Sequence, residues 1–560
     1  MNELIATIIF YIIKVIVHVY EVVTFVPYCL IFKPWRHFLA KNRNKSSMLS
    51  PGVYRQSNGE LATSLDSSCT TLPQLIEKSI SRFYDQQAIG WRDILDEQDE
   101  KQPNGRVFKK VILSDYNWKT FGQVEREAAE IGKGLSSLGV TNDTNVVIFA
   151  ETRAEWLLTL LACLKYNFPV VTLYATLGDD AVIHGIKEAE TQFVVTTEDL
   201  LPKFKKLLPS LPKLRHVIYM DRKGSHVDLK GYPPEVKLMS LSHVKEIGQI
   251  KEKIDFTPAK PDTVAVIMYT SGSTGVPKGV MLTHKNMMAA LAGECAAIKG
   301  LSPTDTYIAY LPLAHILEMC CELGCFIHGA RIGYGTPLTL TDQSSKIMRG
   351  AKGDATALKP TLVTCVPTIM DRLAKTVWDK VDSSSPLMRK IFHFAYEYKL
   401  RKMDMGFDAP VFTRIIFKSV RAILGGNVRA LLCGGAPLNE DTQRFANVCF
   451  CVPVIQGYGL TETCGGATVA DFDDTSIGRC GSVLCCSEIR LKDWTEGGYT
   501  INDKPNPRGE VIVVGDNVSV GYYKQPEDKQ ADFIKVDGKR AFCTGDIGEM
   551  QEDGVLKIIG

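Results

Sequence analysis

The pattern of hydrophobic and polar positions separates an apolar N-terminal stretch from a long remainder in which strand-like and helix-like runs alternate. In the remainder, residues 145–150 predict a strand, and residues 153–166 predict the helix that follows it. Residues 96–105 are polar and predict a surface loop. The alternation predicts an α/β fold in which helices cover parallel sheets. Further strand-like runs lie at 193–196, 216–220, 264–270, 362–366, 428–433 and 510–514.

The N-terminal stretch, residues 4–32, consists mainly of Ile, Val, Leu, Phe and Tyr and is long enough as a helix to cross the hydrocarbon region of a bilayer. It lacks the basic start and the small-residue cleavage site of a secretory signal, so we predict a retained anchor within residues 1–45. The positive-inside rule then places the rest of the chain in the cytosol. The basic flank that supports this orientation consists of Lys33, Arg36, Lys41, Arg43 and Lys45.

A polar stripe complicates the anchor. Lys14, His18 and Glu21 are spaced by four and three residues and therefore share one face of a helix. A lysine near the bilayer centre costs about 2.5 to 3.5 kcal/mol, which favours a helix that lies in the interface or pairs with a partner. The sequence predicts contact with membrane lipid but leaves the topology open. A helix buried in the soluble core is the alternative.

Composition narrows the classes of function. A chain of 560 residues with 45% hydrophobic and 23% charged residues is expected to form several folded subdomains rather than a disordered or multi-span protein. A net charge of +2 provides no broad field for binding nucleic acid. The 16 cysteines include no C-x-x-C pair, and Cys163, Cys365 and Cys433 lie in apolar surroundings typical of free thiols. We interpret the cluster Cys320, Cys321 and Cys325 as core packing and assign it no metal.

A loop rich in glycine and hydroxyl groups follows the apolar run 264–268. Its hydroxyls and backbone N–H groups suit a polyphosphate, and Lys278 adds a compact positive charge. The loop lacks the Gly-Lys-Ser/Thr ending of a Walker A motif. On composition alone, a phosphate site and an ordinary surface loop are equally compatible with these residues. The positions concerned are Thr270, Ser271, Gly272, Ser273, Thr274, Gly275 and Lys278.

Five motifs occur in a fixed order, and together they carry a resemblance. They read YTSGSTGVPKGV at 269–280, LPLAHI at 311–316, CGGAP at 433–437, QGYGLTET at 456–463 and TGD at 544–546. This set resembles the adenylate-forming superfamily, and the wording of 456–463 is similar to that of long-chain acyl-CoA synthetases. The resemblance implies helix-covered β-sheet subdomains and a small β-barrel-like subdomain, assembled as an AMP-binding adenylation domain over residues 46–560.

The resemblance also implies roles for individual residues. Lys278, Glu462 and His315 are expected at the reacting groups, with His315 as a positioning group near the acyl carboxylate. Thr461 and Glu462 are expected to hold Mg²⁺ against phosphate oxygens. Asp546 is expected to accept hydrogen bonds from the ribose hydroxyls. The remaining nucleotide contacts are expected from Gly434, Gly435, Ala436, Gln456, Gly457, Tyr458 and Gly459.

The implied activity is the ATP-dependent conversion of a long-chain fatty acid to an acyl-adenylate and then, with coenzyme A, to acyl-CoA. The implied location is the endoplasmic reticulum or another intracellular membrane. The family normally continues past the point that matches residue 560 with a C-terminal lid domain, so we expect impaired turnover in this chain. Two alternatives stay open: a non-catalytic membrane protein that binds ATP or fatty acid, and an adenylate former that acts on another carboxylic acid.

Overall fold

A computed structural model describes residues 3–35, 39, 43–56, 59–101, 107–222, 224, 227–270 and 276–560. Its strands are β1 (Ser47–Ser50), β2 (Val53–Arg55), β3 (Gln87–Trp91), β4 (Ile94–Lys101), β5 (Val107–Leu113), β6 (Asn117–Thr120), β7 (Val146–Phe149), β8 (Val170–Leu173), β9 (Phe193–Thr197), β10 (His216–Met220), β11 (Lys237–Ser240), β12 (Val264–Thr270), β13 (Lys278–Thr283), β14 (Thr306–Ala309), β15 (Arg331–Tyr334), β16 (Leu362–Cys365), β17 (Ala430–Cys433), β18 (Val454–Tyr458), β19 (Thr468–Val469), β20 (Gly481–Val483), β21 (Glu488–Lys492), β22 (Arg508–Val514), β23 (Phe533–Val536), β24 (Lys539–Met550) and β25 (Val555–Ile558).

The helices alternate with these strands, as predicted. They are α1 (Glu3–Phe32), α2 (Leu72–Phe83), α3 (Phe121–Ser137), α4 (Ala154–Lys165), α5 (Asp179–Glu188), α6 (Leu201–Leu207), α7 (Leu241–Ile250), α8 (His284–Ala297), α9 (Ile316–Ile327), α10 (Asp354–Leu358), α11 (Pro367–Asp382), α12 (Pro386–Asp404), α13 (Pro410–Ile415), α14 (Lys418–Ala422) and α15 (Glu440–Cys449). Helix α8 begins with a capping box in which Thr283 and Asn286 satisfy each other's backbone N–H groups, so its start is fixed locally.

One sheet has the order β11-β10-β9-β7-β8-β12-β13. Its pairs are parallel except for the last, because β12 and β13 form an antiparallel hairpin. The short apolar runs of β7 and β8 are buried at every position, as a parallel sheet covered on both faces requires. The strand expected at 264–270 therefore becomes the penultimate strand, and in the chain the glycine-rich segment comes between it and the edge strand β13.

A second sheet combines two kinds of pairing. From β18 through β17, β16, β14 and β15 to β3 the neighbours are parallel. On its other edge β18 pairs antiparallel with β19, and the path continues through β20, β25, β24, β22, β21 and β2 to β1. The antiparallel strands have a hydrophobic cluster of their own, which includes Ile489, Val511 and Phe542. The resemblance implies a small β-barrel-like subdomain, and these antiparallel strands are the all-β part of the chain, joined to the α/β part in one continuous sheet.

The prediction of a surface loop at 96–105 is wrong over residues 96–101. These residues belong to β4, which pairs antiparallel with β5 in a separate two-stranded sheet. Every residue of β4 is exposed, so no hydrophobic alternation marked it as a strand. Cross-strand ion pairs of Lys109 with Glu97 (3.2 Å) and of Lys110 with Glu100 (2.9 Å) support the hairpin. Residues 102–106 lie outside the described part of the chain.

Helix α1 lies along α12 with a face that carries both polar and aromatic side chains, among them Phe10, whose ring packs against that of Phe394. The carboxylate of Glu21 forms an ion pair with Lys402 and accepts a hydrogen bond from the Tyr398 hydroxyl at 2.9 Å. Lys14 lies over the ring of Phe394, with 5.2 Å from Nζ to the ring centroid. Ala6 is buried, and Phe10 and Val17 pack half-buried against the folded body, but the other side chains of Leu4–Ile31 are exposed or half-exposed, which excludes the alternative of a helix inside the soluble core.

The basic flank after α1 is partly used inside the protein. Lys45 is buried, and its ammonium lies 2.9 Å from carboxylate oxygens of both Asp474 and Asp553. Arg43 pairs with Asp471. These contacts join the start of the folded body to the antiparallel sheet and to the segment before β20. Two of the five basic residues of the predicted flank are therefore committed to protein carboxylates.

We expect Lys45→Met to lower the free energy of unfolding by about 3 kcal/mol, because it leaves buried carboxylates without one of their cations. The matched control is Arg43→Gln, which removes an ion pair whose arginine is 55% exposed and should cost at most about 1 kcal/mol. Urea unfolding in mild detergent measures both. Equal shifts for the two variants would show that the Lys45 pairs do not carry the expected stability.

Candidate active site

A cavity of about 470 Å³ lies where the two sheets approach each other. One part of its wall is polar and comes from the β12–β13 hairpin and from the turn after β18. Another part is apolar and comes from α8, α9 and the parallel strands of the second sheet. Of the predicted site residues, the cavity wall contains Thr270, Lys278, His315, Gly434, Gly435, Gly457, Gly459, Thr461 and Glu462.

The hairpin holds the two ends of the predicted phosphate loop together. Thr270, the last residue of β12, is in register with Lys278, the first residue of β13. The tip between them contains Ser271, Gly272, Ser273, Thr274 and Gly275, which lie outside the described residues. The roles expected for those five residues stay predictions. The lysine and the last hydroxyl of the strand nevertheless enter the same cavity.

Lys278 and Glu462 are linked through Tyr522, a residue that no sequence motif indicated. The Lys278 ammonium lies 4.9 Å from the centroid of the Tyr522 ring. The Tyr522 hydroxyl donates a 2.8 Å hydrogen bond to the Glu462 carboxylate. Burial and the adjacent Glu462 raise the pKa of Tyr522, so its hydroxyl stays a donor. Backbone bonds of residues 520–523 to β13 hold this tyrosine beside the lysine.

The oxygen donors near Glu462 fit a magnesium ion that arrives with a nucleotide. Glu462 supplies one carboxylate and Thr461 one hydroxyl on the cavity wall. Within the described residues, no group of three or more His, Cys, Asp or Glu side chains is placed to hold a metal alone. Mg²⁺ commonly binds through one or two carboxylates together with phosphate oxygens and water. This donor set therefore suits a phosphate-borne ion better than a resident one.

Two glycines allow the loops after β17 and β18 to approach the cavity. Gly435 has φ of +84°, a conformation that side-chain-bearing residues rarely adopt. A Cβ atom on Gly459 would lie 2.3 Å from the carbonyl oxygen of Gly465, so only glycine fits there. The turn carrying Thr461 and Glu462 is thereby packed directly against the chain that follows it. Gly434 and Gly457 also lie on the wall.

Tyr458 and Asp546 form a pair beside the cavity. The Tyr458 hydroxyl donates a 2.7 Å hydrogen bond to the Asp546 carboxylate. Thr544 and Gly545, which precede Asp546 on β24, are part of the cavity wall. One accepted hydrogen bond leaves the carboxylate further acceptor sites, as binding of ribose hydroxyls requires. The pair brings two predicted residues from distant strands together.

Two other predicted residues lie off the cavity wall. The Gln456 side chain is buried and donates a 2.8 Å hydrogen bond to Gln443 of α15. Ala436 is exposed in the loop after β17. Gln456 consequently fixes β18 to α15 and does not offer its amide to the cavity. The predicted ligand contacts of these two residues stay untested.

His315 is the N-cap residue of α9 and lies on the cavity wall. Its Nδ1 accepts a 3.1 Å hydrogen bond from the backbone N–H of Leu317. Burial lowers the pKa of His315, so the imidazole is neutral near pH 7. A neutral ring whose Nδ1 accepts carries its proton on Nε2. His315 can therefore donate a hydrogen bond to an oxygen atom without acting as a charged group.

The apolar part of the wall was not predicted from sequence. It lies between α8 and α9 and beside the parallel strands of the second sheet. Its thiols are protonated because burial raises their pKa. The expectation of core packing for the cysteines of α9 is confirmed, although they also border a cavity. The residues of this apolar part of the wall include Cys295, Ile298, Leu301, Cys321, Cys325, Leu362, Leu432 and Ile455.

Comparison with known proteins gives one family match and many relatives. Residues 95–523 match the model of the AMP-binding enzyme family. The chain is 41% identical to long chain acyl-CoA synthetase 8 of Arabidopsis thaliana over 87% of its own length and 69% of that protein. It is 33% identical to long-chain-fatty-acid–CoA ligase 1 of Saccharomyces cerevisiae, over 88% and 74% of the two chains.

The fold is also found among solved structures. The A domain of a carboxylic acid reductase from Segniliparus rugosus, solved with AMP and a co-purified carboxylic acid, superimposes with a TM-score of 0.69 at 20% identity. The match covers 88% of this chain and 74% of that one. At this identity the likeness concerns the fold, and it confirms the α/β architecture expected from the sequence.

We expect Gly459→Ala to lower the free energy of unfolding by about 2 kcal/mol, because the added methyl group overlaps the Gly465 carbonyl and must displace one of the two turns. Gly457→Ala is the matched control, since its nearest new contact is 3.6 Å away and needs no rearrangement. Chemical unfolding compares the two. If both variants are as stable as the parent, the close approach of the turns is not a constraint on the fold.

Proposed function

We propose that this chain, which belongs to the AMP-binding enzymes and, within them, to the long-chain acyl-CoA synthetases, activates long-chain fatty acids with ATP and transfers them to coenzyme A. One observation carries the proposal. A single cavity joins a wall with Lys278 and Glu462 to a wall of apolar side chains and neutral thiols. The first suits a polyphosphate and the second an acyl chain, so the reacting groups meet where the two walls adjoin.

In the first step, a carboxylate oxygen of the fatty acid attacks the α-phosphorus of ATP, and pyrophosphate leaves. The Lys278 ammonium stabilises negative charge on the phosphate oxygens, together with the backbone of the loop before it. Glu462, oriented by Tyr522, and Thr461 would hold the Mg²⁺ that accompanies the nucleotide and neutralises its phosphates. The Asp546 carboxylate accepts hydrogen bonds from the ribose hydroxyls, and the glycines after β17 and β18 leave room for the adenine.

His315 orients the acid in this scheme. Its protonated Nε2 donates to a carboxylate or phosphate oxygen, while the backbone N–H of Leu317 keeps Nδ1 engaged. The neutral ring leaves the nucleophilic carboxylate charged. In the second step the thiol sulfur of coenzyme A attacks the acyl carbonyl carbon, its proton is released, and AMP departs with the bonding electrons. The product is acyl-CoA.

We also propose that α1 binds the cytosolic surface of the endoplasmic reticulum or another intracellular membrane. The polar residues of α1 contact α12, whereas side chains such as Val22 and Val26 are 78% and 63% exposed. A helix held lengthwise against the folded body cannot also cross a bilayer. We therefore favour an interfacial position, with the apolar face of α1 in one lipid leaflet.

The activity is tested by incubating the chain with Mg·ATP, a long-chain fatty acid and coenzyme A and by measuring acyl-adenylate and acyl-CoA by mass spectrometry. We expect both products to depend on the fatty acid. Lys278→Ala and Glu462→Gln should each lower kcat by about 100- to 1000-fold, because each removes stabilisation of the phosphate charge. Fatty acids should also compete with a non-reactive acyl-adenylate analogue for binding.

The matched controls are Lys375→Ala and Glu496→Gln, which make the same changes at exposed positions away from the cavity. They should leave the kinetics unchanged. Full turnover by the Lys278 and Glu462 variants would exclude this cavity as the reaction site. Failure of the parent chain to bind the acyl-adenylate analogue would contradict the proposed function itself.

The membrane proposal predicts that Val22→Glu combined with Val26→Glu abolishes co-flotation with phospholipid vesicles, because two charges then face the lipid. Ile250→Glu is the control, since it changes an equally exposed apolar residue outside α1. Alkaline extraction distinguishes the topologies. An interfacial helix should be released from the vesicles, and retention of the parent chain would instead support a spanning helix.

A further inference from the structure

Glu294 is an acidic residue on the wall of an otherwise apolar compartment. It belongs to α8 and lines the cavity together with Cys295 of the same helix, Ile298 just after that helix and Cys320 of α9. Neither the motifs nor the proposed reaction gives it a role. A carboxyl group in this position costs free energy unless something satisfies its hydrogen bonds.

The protein satisfies that carboxyl only weakly. Its one side-chain partner in the described part of the chain is the thiol of Cys320, a poor hydrogen-bonding group that also donates to the Cys464 carbonyl oxygen at 3.5 Å. No ion pair involving Glu294 is formed there. Its Oε1 lies against the backbone of Gly465 and Gly466, where added Cβ atoms would be 3.0 and 2.8 Å away. The carboxyl therefore keeps hydrogen-bonding capacity on the cavity side.

Two other buried carboxyls, both on α9, each have a tyrosine hydroxyl as a strong hydrogen-bond partner. Glu318 accepts a 2.7 Å hydrogen bond from the Tyr307 hydroxyl, and Glu322 accepts a 2.6 Å bond from Tyr334. Both glutamates lie off the cavity wall, and one carboxyl oxygen of each, Oε1, has no hydrogen-bond partner in the described part of the chain. Glu294 has no tyrosine partner and faces the space where a ligand would lie. The difference points to a ligand as the missing partner.

The charge state of Glu294 follows from its surroundings. Burial raises its pKa to about 8, and the thiol of Cys320 lowers it only slightly. The other titratable groups that interact with it are the thiols of Cys295, Cys321, Cys464 and Cys486, whose pKa values are all raised. Near pH 7 the carboxyl is therefore protonated and offers an O–H donor as well as acceptor oxygens.

We propose that Glu294 is a specificity-determining residue that selects acyl chains bearing an oxygen substituent, such as a hydroxyl or epoxide, at its level in the cavity. This inference rests on the proposed activation of fatty acids and adds a preference within that substrate class. A hydrocarbon chain passing Glu294 leaves the carboxyl O–H on the cavity wall unpaired, which weakens binding by about tenfold. An oxygen atom on the acyl chain accepts a hydrogen bond from the Glu294 carboxyl O–H and removes this penalty.

The test compares binding of stearic acid with binding of a series of hydroxystearic acids that carry the hydroxyl at successive positions. Calorimetry with the full chain in mild detergent measures each Kd. We expect one position to bind about tenfold more tightly than stearic acid. Glu294→Leu should reverse that preference by strengthening stearic acid binding, while Glu294→Gln, which still donates and accepts, should keep it. Glu322→Gln is the control for a buried carboxyl off the cavity.

A pH series separates a direct contact from a change of shape. Above about pH 8 the parent carboxyl ionises, loses its donor and places a charge against the chain. The preference for an epoxystearic acid, whose oxygen can only accept a hydrogen bond, should therefore decline in the parent chain and persist in Glu294→Gln, whose amide does not ionise.

The outcomes separate this inference from its premise. If stearic acid binds and every hydroxylated acid binds equally or more weakly, or if Glu294→Leu keeps the parent's preference, the role of Glu294 is overturned while fatty acid activation stands. If no fatty acid binds to the parent chain, the proposed function fails and the specificity fails with it.

Discussion

The site depends on one constraint, the double pairing of β18. This strand is the point where parallel hydrogen bonding to β17 gives way to antiparallel hydrogen bonding to β19. A single five-residue strand therefore fixes the α/β layers relative to the antiparallel sheet. The turn with Thr461 and Glu462 follows it directly, and Tyr458 at its end bonds to Asp546 of the antiparallel sheet. Loops that follow the carboxyl ends of parallel strands are a common place for ligands, and here they face a second sheet.

The cavity has a charged part and an apolar part, and the packing of the chain explains both. At the hairpin, Lys278 and Glu462 are kept apart by the ring and hydroxyl of Tyr522 and so stay available to other charges. Between α8 and α9 the wall contains thiols and aliphatic groups, and burial keeps those thiols protonated. The same low polarity that suits an acyl chain keeps Glu294 neutral. The polarity of each part of the cavity follows from the helices and strands that border it.

Much of the fold could be predicted from the sequence because short, fully buried strands leave an unambiguous apolar run. The strands predicted at 216–220 and 264–270 agree with β10 and β12, and the helix at 153–166 differs from α4 by one residue at each end. The exposed strand β4 could not be found this way, since nothing on it is buried. The motifs identified most residues on the polar wall. Tyr522 and Glu294 escaped because their importance comes from contacts across the fold that no local spacing encodes.

The N-terminal part of the chain is held to the rest of the protein both along α1 and downstream of it, which bears on how the body can be oriented. Glu21 binds Lys402 of α12, and downstream Lys45 is buried between two aspartates beside the antiparallel sheet. A helix tethered only by a loose linker would leave the catalytic body free to rotate above a membrane. With both attachments, the exposed face of α1 has a fixed direction relative to the cavity. Lipid binding by that face would then set the orientation of the cavity toward the membrane as well.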